Sequence, residues 1–357
     1  MVIAEFRNLH SAIRNVEEEE FLRRLVLGLL LVATCSFAQR TLFTQPMGDD
    51  TFRIKGDACL WTRAWYQMSD SSAVRKTDHT FGRAYGFIGA TVQYGKCAYA
   101  RYYYDLGEIS GKPAYDLIAG LTCHGFDFRF GQLKPPTGYE NMAAPWKVDF
   151  IEYTLAAANH TPTGGTRDIG AQLSYTHKYF QPIVALVNGN GRNMTKDDNT
   201  FKDVVFRAVI TPLGRPALFI GGNGYLNSDT FTTKKSPCRF RRFSGEAGWV
   251  EPGFFVRGEY LYGTDPFGAL DSLYRPTTRT LNSFYVAAGF RAGNVQPVVR
   301  YEQFTLSGNT TTTLAFGANY FAFSDMVKPM LNISLIRDGA KKTDYAKVMF
   351  QIQAAFW

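Results

Sequence analysis

The stretch "FRIKGDACLWTRAWYQM", residues 52 to 68, is the clearest indication of the fold, because apolar and polar side chains alternate along it. One face carries Phe52, Ile54, Ala58, Leu60, Ala64, Tyr66 and Met68, and the other carries Arg53, Lys55, Asp57, Arg63 and Gln67. A period of two indicates a β-strand. Its 17 residues exceed the usual length of about 3 to 10 in globular sheets. Such a length is typical of tilted membrane barrels, in which about 9 to 11 residues cross the bilayer and the rest project beyond it.

The chain ends with the same alternation, in "KVMFQIQAAFW", residues 347 to 357. Val348, Phe350, Ile352 and Phe356 share the apolar face, while Gln351 and Gln353 lie between them. We expect this last strand to meet lipid with its apolar face. A terminal aromatic is the signal by which barrel-assembly machinery recognises its clients, and parity assigns that role to Phe356. Trp357 is then expected to point to the other side.

Turn signals between the alternating stretches predict sixteen strands. The expected starts are near residues 51, 81, 96, 114, 125, 169, 181, 202, 217, 239, 253, 282, 295, 311, 326 and 343. Short connections, such as "YGK" and "EPG", alternate with long ones, such as "SDSSAVRKTDHT" (69 to 80) and "TDPFGALDSLYRPTTRT" (264 to 280). An even number of strands with short turns on one side predicts an all-β, transmembrane, up-and-down antiparallel β-barrel.

One connection, from Lys134 to Asp168, is 35 residues long. Unstructured loops of this length are uncommon in compact domains unless they have a function. It follows the fifth strand, and by analogy with sixteen-stranded porins we expect it to be an inward-folded third loop that narrows a pore. "DFIEYTLAA" (149 to 157) is expected to contain a short helix.

The N-terminal region contains one sustained apolar run, Leu25 to Ala38, preceded by Arg23 and Arg24. Its length, its basic flank and its small residues before Gln39 predict a cleaved signal peptide. We therefore expect residues 1 to 38 to be an N-terminal extension and signal peptide, and residues 39 to 357 to form an outer-membrane barrel. The acidic run before Arg23 suggests that translation starts near Leu22. The alternatives, a start at Met1 and lipidation of Cys35, stay open.

The mature chain has 35 basic and 26 acidic residues, a net charge of +9. This surplus suggests an anionic partner, and export makes nucleic acid an unlikely one. The four mature cysteines, Cys59, Cys97, Cys123 and Cys238, show no zinc spacing and leave any disulfide undecided. No HExxH, GxSxG or P-loop motif is present, so we expect neither a cofactor nor an enzyme.

Alternation also assigns charges to the interior, because one face of each strand meets lipid. The basic side chains expected inside are Arg53, Lys55, Arg63, Arg83, Arg101, Arg129, Arg207, Arg242, Arg257, Arg291 and Arg300. The acidic ones are Asp57, Asp105, Asp127, Asp203, Glu246, Glu259 and Glu302. A series of arginines suits weak, repeated binding of a passing oxyanion. The alternative is that pairs such as "RGE" (257 to 259) and "RYE" (300 to 302) neutralise each other along the wall.

In the third loop, Lys134, Lys147 and Arg167 are the candidate anion ligands, and Glu140, Asp149 and Glu152 are expected to fix its fold. A second basic run is expected at the channel mouth, in "KKSPCRFRR": Lys234, Lys235, Arg239, Arg241 and Arg242. It would either concentrate anions before entry or contact the phosphates of lipopolysaccharide.

"RFGQLKPPTGYE" (129 to 140) resembles the phosphate-selective porin O and P family, which has a Gly-Gln-x-Lys-x-Pro stretch with a nearby Glu. Further similar stretches follow in the family's order: "TRDIGAQL", "ALVNGNGRN", "EYLYG", "PVVRYEQF" and "FQIQAAF". The resemblance implies an outer-membrane homotrimer whose basic lumen passes phosphate or similar small anions. Thr137 and Tyr153 depart from the family's pattern, and Tyr153 replaces a frequent Arg, so anion passage is better supported than phosphate specificity. The alternatives are a surface enzyme or adhesin built on the same barrel and a soluble, secreted β-protein.

Overall fold

A computed structural model gives the structure of the protein. It describes residues 40–357 apart from positions 48–49, 72–73, 82–84, 108–113, 145–146, 162–166, 195–200, 216, 228, 232–235, 239, 271–275, 324 and 357. The predicted signal peptide, Cys35 and Trp357 lie outside the described residues. Within the described ranges, no helix has the length and apolar character needed to span a bilayer.

Strands make up most of the described chain. In chain order they are β1 (Arg40–Met47), β2 (Asp50–Ser71), β3 (Val74–Phe81), β4 (Tyr85–Tyr94), β5 (Ala98–Asp105), β6 (Ala114–Cys123), β7 (Phe126–Leu133), β8 (Asp168–Tyr175), β9 (Phe180–Val187), β10 (Asp203–Ile210), β11 (Leu218–Leu226), β12 (Asp229–Phe231), β13 (Ser236–Cys238), β14 (Arg241–Glu251), β15 (Phe254–Leu270), β16 (Pro276–Phe290), β17 (Val295–Leu306), β18 (Asn309–Tyr320), β19 (Val327–Asp338) and β20 (Thr343–Phe356). Two short helices, α1 (Tyr139–Met142) and α2 (Leu155–Ala158), lie between β7 and β8.

Sixteen of these strands form a closed antiparallel barrel. β2 pairs with β4, each later wall strand pairs with the next, and β20 returns to pair with β2, for example Ala58 with Phe356. On the edge of β2 that pairs with β4, β3 pairs with the last part of β2. On the opposite edge, β1 pairs with the first part of β2, which β20 does not reach. β12 and β13 form a separate small hairpin. The predicted fold class is confirmed, and closure leaves the wall without a free edge.

The expected strand starts agree with the observed ones to within three residues, except at two strands. The second barrel strand, expected at 81, is interrupted, so that β3 ends at Phe81 and β4 begins at Tyr85. β16 begins at Pro276 rather than 282, because β15 and β16 continue as a long hairpin through most of the expected 264 to 280 loop. The 69 to 80 loop is likewise a paired extension of β2 and β3.

The two faces of the wall differ as the alternation predicts. Aromatic side chains are exposed on the wall, and Tyr260 has 52% of its surface accessible; they include Tyr94, Tyr102, Tyr104, Trp249, Tyr260 and Tyr262. The opposite face carries buried charges, including Arg257, Glu259, Arg300 and Glu302. The side chain of Phe356 is not described. Cys59, Cys97 and Cys123 form no disulfide, and Cys59 is buried.

Candidate functional site: a charged segment inside the barrel

The long connection between β7 and β8, residues 134–167, contacts the interior face of the barrel and is called the inner segment here. Its two helices are single turns, and the helix expected in 149 to 157 begins only at Leu155. Residues 150 to 152 bend instead. The bend allows Phe150 and Ile151 to be buried among wall residues while neighbouring backbone groups bond to wall side chains. The wall holds the inner segment through ion pairs and hydrogen bonds along its length.

A basic row of wall residues binds the acids of the inner segment. Cross-strand register aligns Arg257 of β15, Arg300 of β17 and Lys347 of β20, with the small residues Ala287, Ala315 and Ser334 between them. Arg257 pairs with Asp149 at 2.7 Å, Arg300 with Glu140 at 3.5 Å, and Lys347 with Glu152 at 2.5 Å. The small residues leave room for the backbone of the inner segment to approach the wall.

An acidic row lies two residues further along β15 and β17, and it accepts hydrogen bonds from the inner segment. Glu246, Glu259 and Tyr285 are aligned by register, and Glu302 follows on β17. Glu259 contacts His160 Nε2 at 2.7 Å, and both side chains are fully buried. Glu302 accepts the backbone N–H of Leu155. The "RGE" and "RYE" repeats therefore bind the inner segment through both of their charges.

Further contacts fix the middle and the ends of the inner segment. Arg63, Asn319 and Lys328 donate to its backbone carbonyls, and the side-chain oxygen of Asn332 accepts from Ile151 N–H at 2.7 Å. At its start, Lys134 donates to the Ala143 carbonyl at 2.9 Å, and burial lowers the pKa of Lys134 well below its usual range. At its end, Arg167 pairs with Asp116 and lies over the ring of Tyr115.

These contacts divide the predicted anion ligands into two groups. Arg63, Arg257 and Arg300 on the wall, and Lys134 and Arg167 on the inner segment, hold that segment in place. Arg207 pairs with Glu246. Lys147 is exposed on the inner segment. The predicted fold-fixing acids Glu140, Asp149 and Glu152 all bind wall residues or the backbone of the segment.

The remaining wall cations lie on the β2 to β7 side of the barrel. Lys55 and Arg101 share one register row, separated by Thr91 of β4. Arg53 and Arg129 lie in the neighbouring row, and Arg129 pairs with Asp127 at 2.6 Å. All four side chains are partly accessible.

The expected basic mouth is described only in part. Lys234, Lys235 and Arg239 lie outside the described residues. Arg241 is exposed, but Arg242 is buried, where it pairs with Asp265 and donates to the Asn159 carbonyl at 2.8 Å. Arg242 therefore belongs with the wall residues that hold the inner segment. Arg83 is also outside the described residues, and Arg291 lies in the β16–β17 turn, paired with Asp325.

Sequence reasoning missed several residues that hold the inner segment. Lys328 and Lys347 occupy interior positions of β19 and β20, and strand parity alone would have identified them. Asn319, Asn332 and His160 carried no such signal, because their roles depend on the path of the inner segment. No group of three or more potential metal-ligating side chains occurs among the residues that the structure describes.

Comparison with known proteins gives a fold likeness and no sequence relative. No protein-family model matches the chain, and a search of curated proteins found no match. The anion-selective porin from Comamonas acidovorans superimposes with a TM-score of 0.64 at 10% identity, covering 85% of this chain and 100% of that porin. The outer membrane channel DcaP of Acinetobacter baumannii gives 0.64 at 11% identity, covering 89% and 100%. A trimer form of the outer membrane protein OmpT of Vibrio cholerae gives 0.55 at 10% identity, covering 84% and 99%.

This likeness shows that the chain has the barrel fold of bacterial outer-membrane porins. At 10 to 11% identity it carries no ligand, selectivity or assembly from those proteins to this one. The resemblance to the phosphate-selective porin O and P family remains a prediction.

Proposed function

We propose that the protein is an outer-membrane porin that forms a water-filled, anion-preferring channel for the passive uptake of phosphate or similar small anions. The observation that carries the proposal is the division of the interior. One side of the wall binds the inner segment through paired charges. The other side presents Arg53, Lys55, Arg101 and Arg129, of which Arg129 is paired with Asp127, and Lys147 is exposed on the segment.

This arrangement favours anions for an electrostatic reason. All three acids of the inner segment are paired with wall cations. The segment has three basic residues as well, so the mature chain's surplus of positive charge lies in the rest of the protein. A pore lined by several accessible cations attracts anions, and weak binding at several sites permits them to leave again. Arginine presents a planar fork that binds two oxygens of a phosphate or carboxylate.

Reconstitution into planar bilayers tests whether the barrel conducts at all. The proposal expects stepwise current increases in potassium chloride on adding the purified protein. It also expects that replacing Lys55 and Arg101 by Gln lowers the preference for anions without closing the pore. Lys341→Gln, at an exposed turn residue, is the matched control. A barrel without conductance would contradict the proposal and favour a surface enzyme or adhesin.

We also propose how the protein reaches the membrane and what surrounds it there. The chain would be exported by its N-terminal signal peptide, inserted into the Gram-negative outer membrane through recognition of Phe356, and surrounded by lipid and lipopolysaccharide. We also propose a homotrimer and no enzymatic activity. Chemical crosslinking in native membranes tests the trimer, and a species of one chain only would contradict it.

A further inference from the structure

A cavity of about 280 Å³ lies between the inner segment and the β10–β15 side of the wall. Its lining consists of Tyr139, Glu140, Met142, Ala143, Lys147, Val148, Asp149, Arg207 and Arg257. The site rests on the channel function proposed above, and it concerns which anions the channel takes.

The cavity has a rigid aromatic wall and apolar neighbours. The ring of Tyr139 stacks on Phe219 of β11, with centroids 5.0 Å apart and planes 8° from parallel. The guanidinium of Arg257 lies 5.1 Å from the centre of the same ring, which fixes it from another side. Met142, Ala143 and Val148 supply further apolar surface. Burying an apolar group of a ligand against such a lining is favourable, because it removes apolar surface from water.

The cations of the cavity retain unused donors. Arg207 uses Nη2 for Glu246, and Arg257 uses Nη2 for Asp149. The Nε atoms of both arginines are buried and have no hydrogen-bond partner among the described residues. Arg257 is only 6% exposed, so its unused N–H group is costly unless a ligand or water accepts from it. Lys147, which is exposed, adds an ammonium group to the lining.

The size of the cavity distinguishes between anion classes. The cavity has the volume of roughly nine water molecules at about 30 Å³ each, which is room for a ligand of about that many non-hydrogen atoms. Inorganic phosphate has only five such atoms and no apolar part, so it would leave Tyr139, Met142 and Val148 in contact with water. A ring or short chain with one carboxylate fills the volume and matches both kinds of lining.

We propose that this cavity is a binding site for organic anions that combine one carboxylate with a compact apolar body, such as aromatic carboxylates. The carboxylate accepts from Arg207, Arg257 and Lys147, and the apolar body packs on Tyr139 and Met142.

Benzoate block of the chloride current through the purified full-length protein tests the site. Acetate serves as the probe with the same charge and no apolar body, benzyl alcohol as the body without charge, and inorganic phosphate as the small oxyanion. We expect half-maximal block by benzoate at a concentration at least tenfold below that of each other probe. Equal potency of benzoate and acetate would overturn the proposal.

Two variants separate the contributions of charge and apolar surface. Lys147→Gln should weaken the block by benzoate and by acetate to a similar extent, about threefold or more. Met142→Ser should weaken the benzoate block alone. Lys341→Gln, on the β19–β20 turn and outside the cavity lining, should change neither. Benzoate block that none of the cavity variants alters would place the benzoate site elsewhere and overturn the proposal.

The test needs a conducting channel, but it separates failure of this site from failure of the proposed anion preference. A protein that conducts and prefers anions but does not distinguish benzoate from acetate refutes this site and leaves the porin proposal intact. A cation-preferring channel that benzoate still blocks through Met142 and Lys147 refutes the anion preference and supports the site.

Discussion

Replacing Arg300 by Met should destabilise the protein strongly, because Arg300 is a central contact between the wall and the inner segment. Arg300 is 5% exposed and its partner Glu140 is 3% exposed. Its guanidinium also donates to the Glu152 carbonyl at 2.9 Å and lies 4.6 Å from the centre of the Phe150 ring. Removing one partner of a buried pair leaves the other charge uncompensated, which costs about 3 to 5 kcal/mol.

The inner segment should nevertheless stay in place in this variant. Its remaining hydrogen bonds to wall side chains come from or go to Arg63, Arg242, Glu302, Asn319, Lys328 and Asn332. At about 1 kcal/mol or more each, together with the Arg257–Asp149 and Lys347–Glu152 pairs, they exceed the loss. We therefore expect a lower free energy of unfolding with little change in single-channel conductance.

Equilibrium urea unfolding in detergent micelles, followed by tryptophan fluorescence, measures this loss. The double variant Arg300→Met with Glu140→Gln is the matched comparison, because it also removes the stranded buried charge. It should regain a substantial part of the lost free energy, since replacing a buried pair by neutral groups is often nearly neutral. A double variant no more stable than Arg300→Met, or an Arg300→Met protein as stable as the wild type, would show that Arg300 does not compensate a buried charge on Glu140.

Three further predictions concern other parts of the molecule. Gly138→Ala should lower the free energy of unfolding in the urea assay by about 2 to 4 kcal/mol, because φ is +60° and the added Cβ would overlap His160 and Glu259. Gly293→Ala, at φ +61° with open space around it, is the control and should cost only about 1 kcal/mol. Equal losses in the two variants would contradict the prediction. Burial and the neighbouring Arg167 lower the pKa of Lys134, so raising the pH towards about 10, the usual lysine value, should remove its positive charge and reduce the anion preference measured by reversal potential. Lys134→Gln should show a smaller fall, and an identical pH dependence in both proteins would count against a charged Lys134. Deleting Trp357 should leave the yield of folded, heat-modifiable barrel unchanged whereas deleting Phe356 as well should reduce it, and equal yields would show that the wrong aromatic has been assigned.

The barrel could be predicted because it depends on local alternation. Residues 52 to 68 and 347 to 357 each show which face is apolar, and closure of sixteen such strands follows from turns that the sequence also marks. The errors lie where paired hairpins continue into stretches that were expected to be loops, at β3 and at the start of β16. Extended hairpins of polar composition resemble loops in sequence, since they have no apolar face to preserve.

The inner segment could be located from its length but its contacts could not be predicted. Arg257 and Arg300 were correctly assigned to the interior face, yet their partners Asp149 and Glu140 are more than 100 residues away in sequence. Parity fixes the face on which a side chain lies and contains no information on the path of a connection across the barrel. The aligned row of Arg257, Arg300 and Lys347 appears only when strand register is known.

The sign of the reversal potential across a planar bilayer, with potassium chloride at unequal concentrations on the two sides, shows whether the pore prefers anions or cations. An anion-preferring porin should give a reversal potential with the sign of the chloride equilibrium potential. Replacing both Lys55 and Arg101 by Gln should shift that reversal potential towards zero. A wild-type reversal potential with the sign of the potassium equilibrium potential would contradict the proposed anion preference.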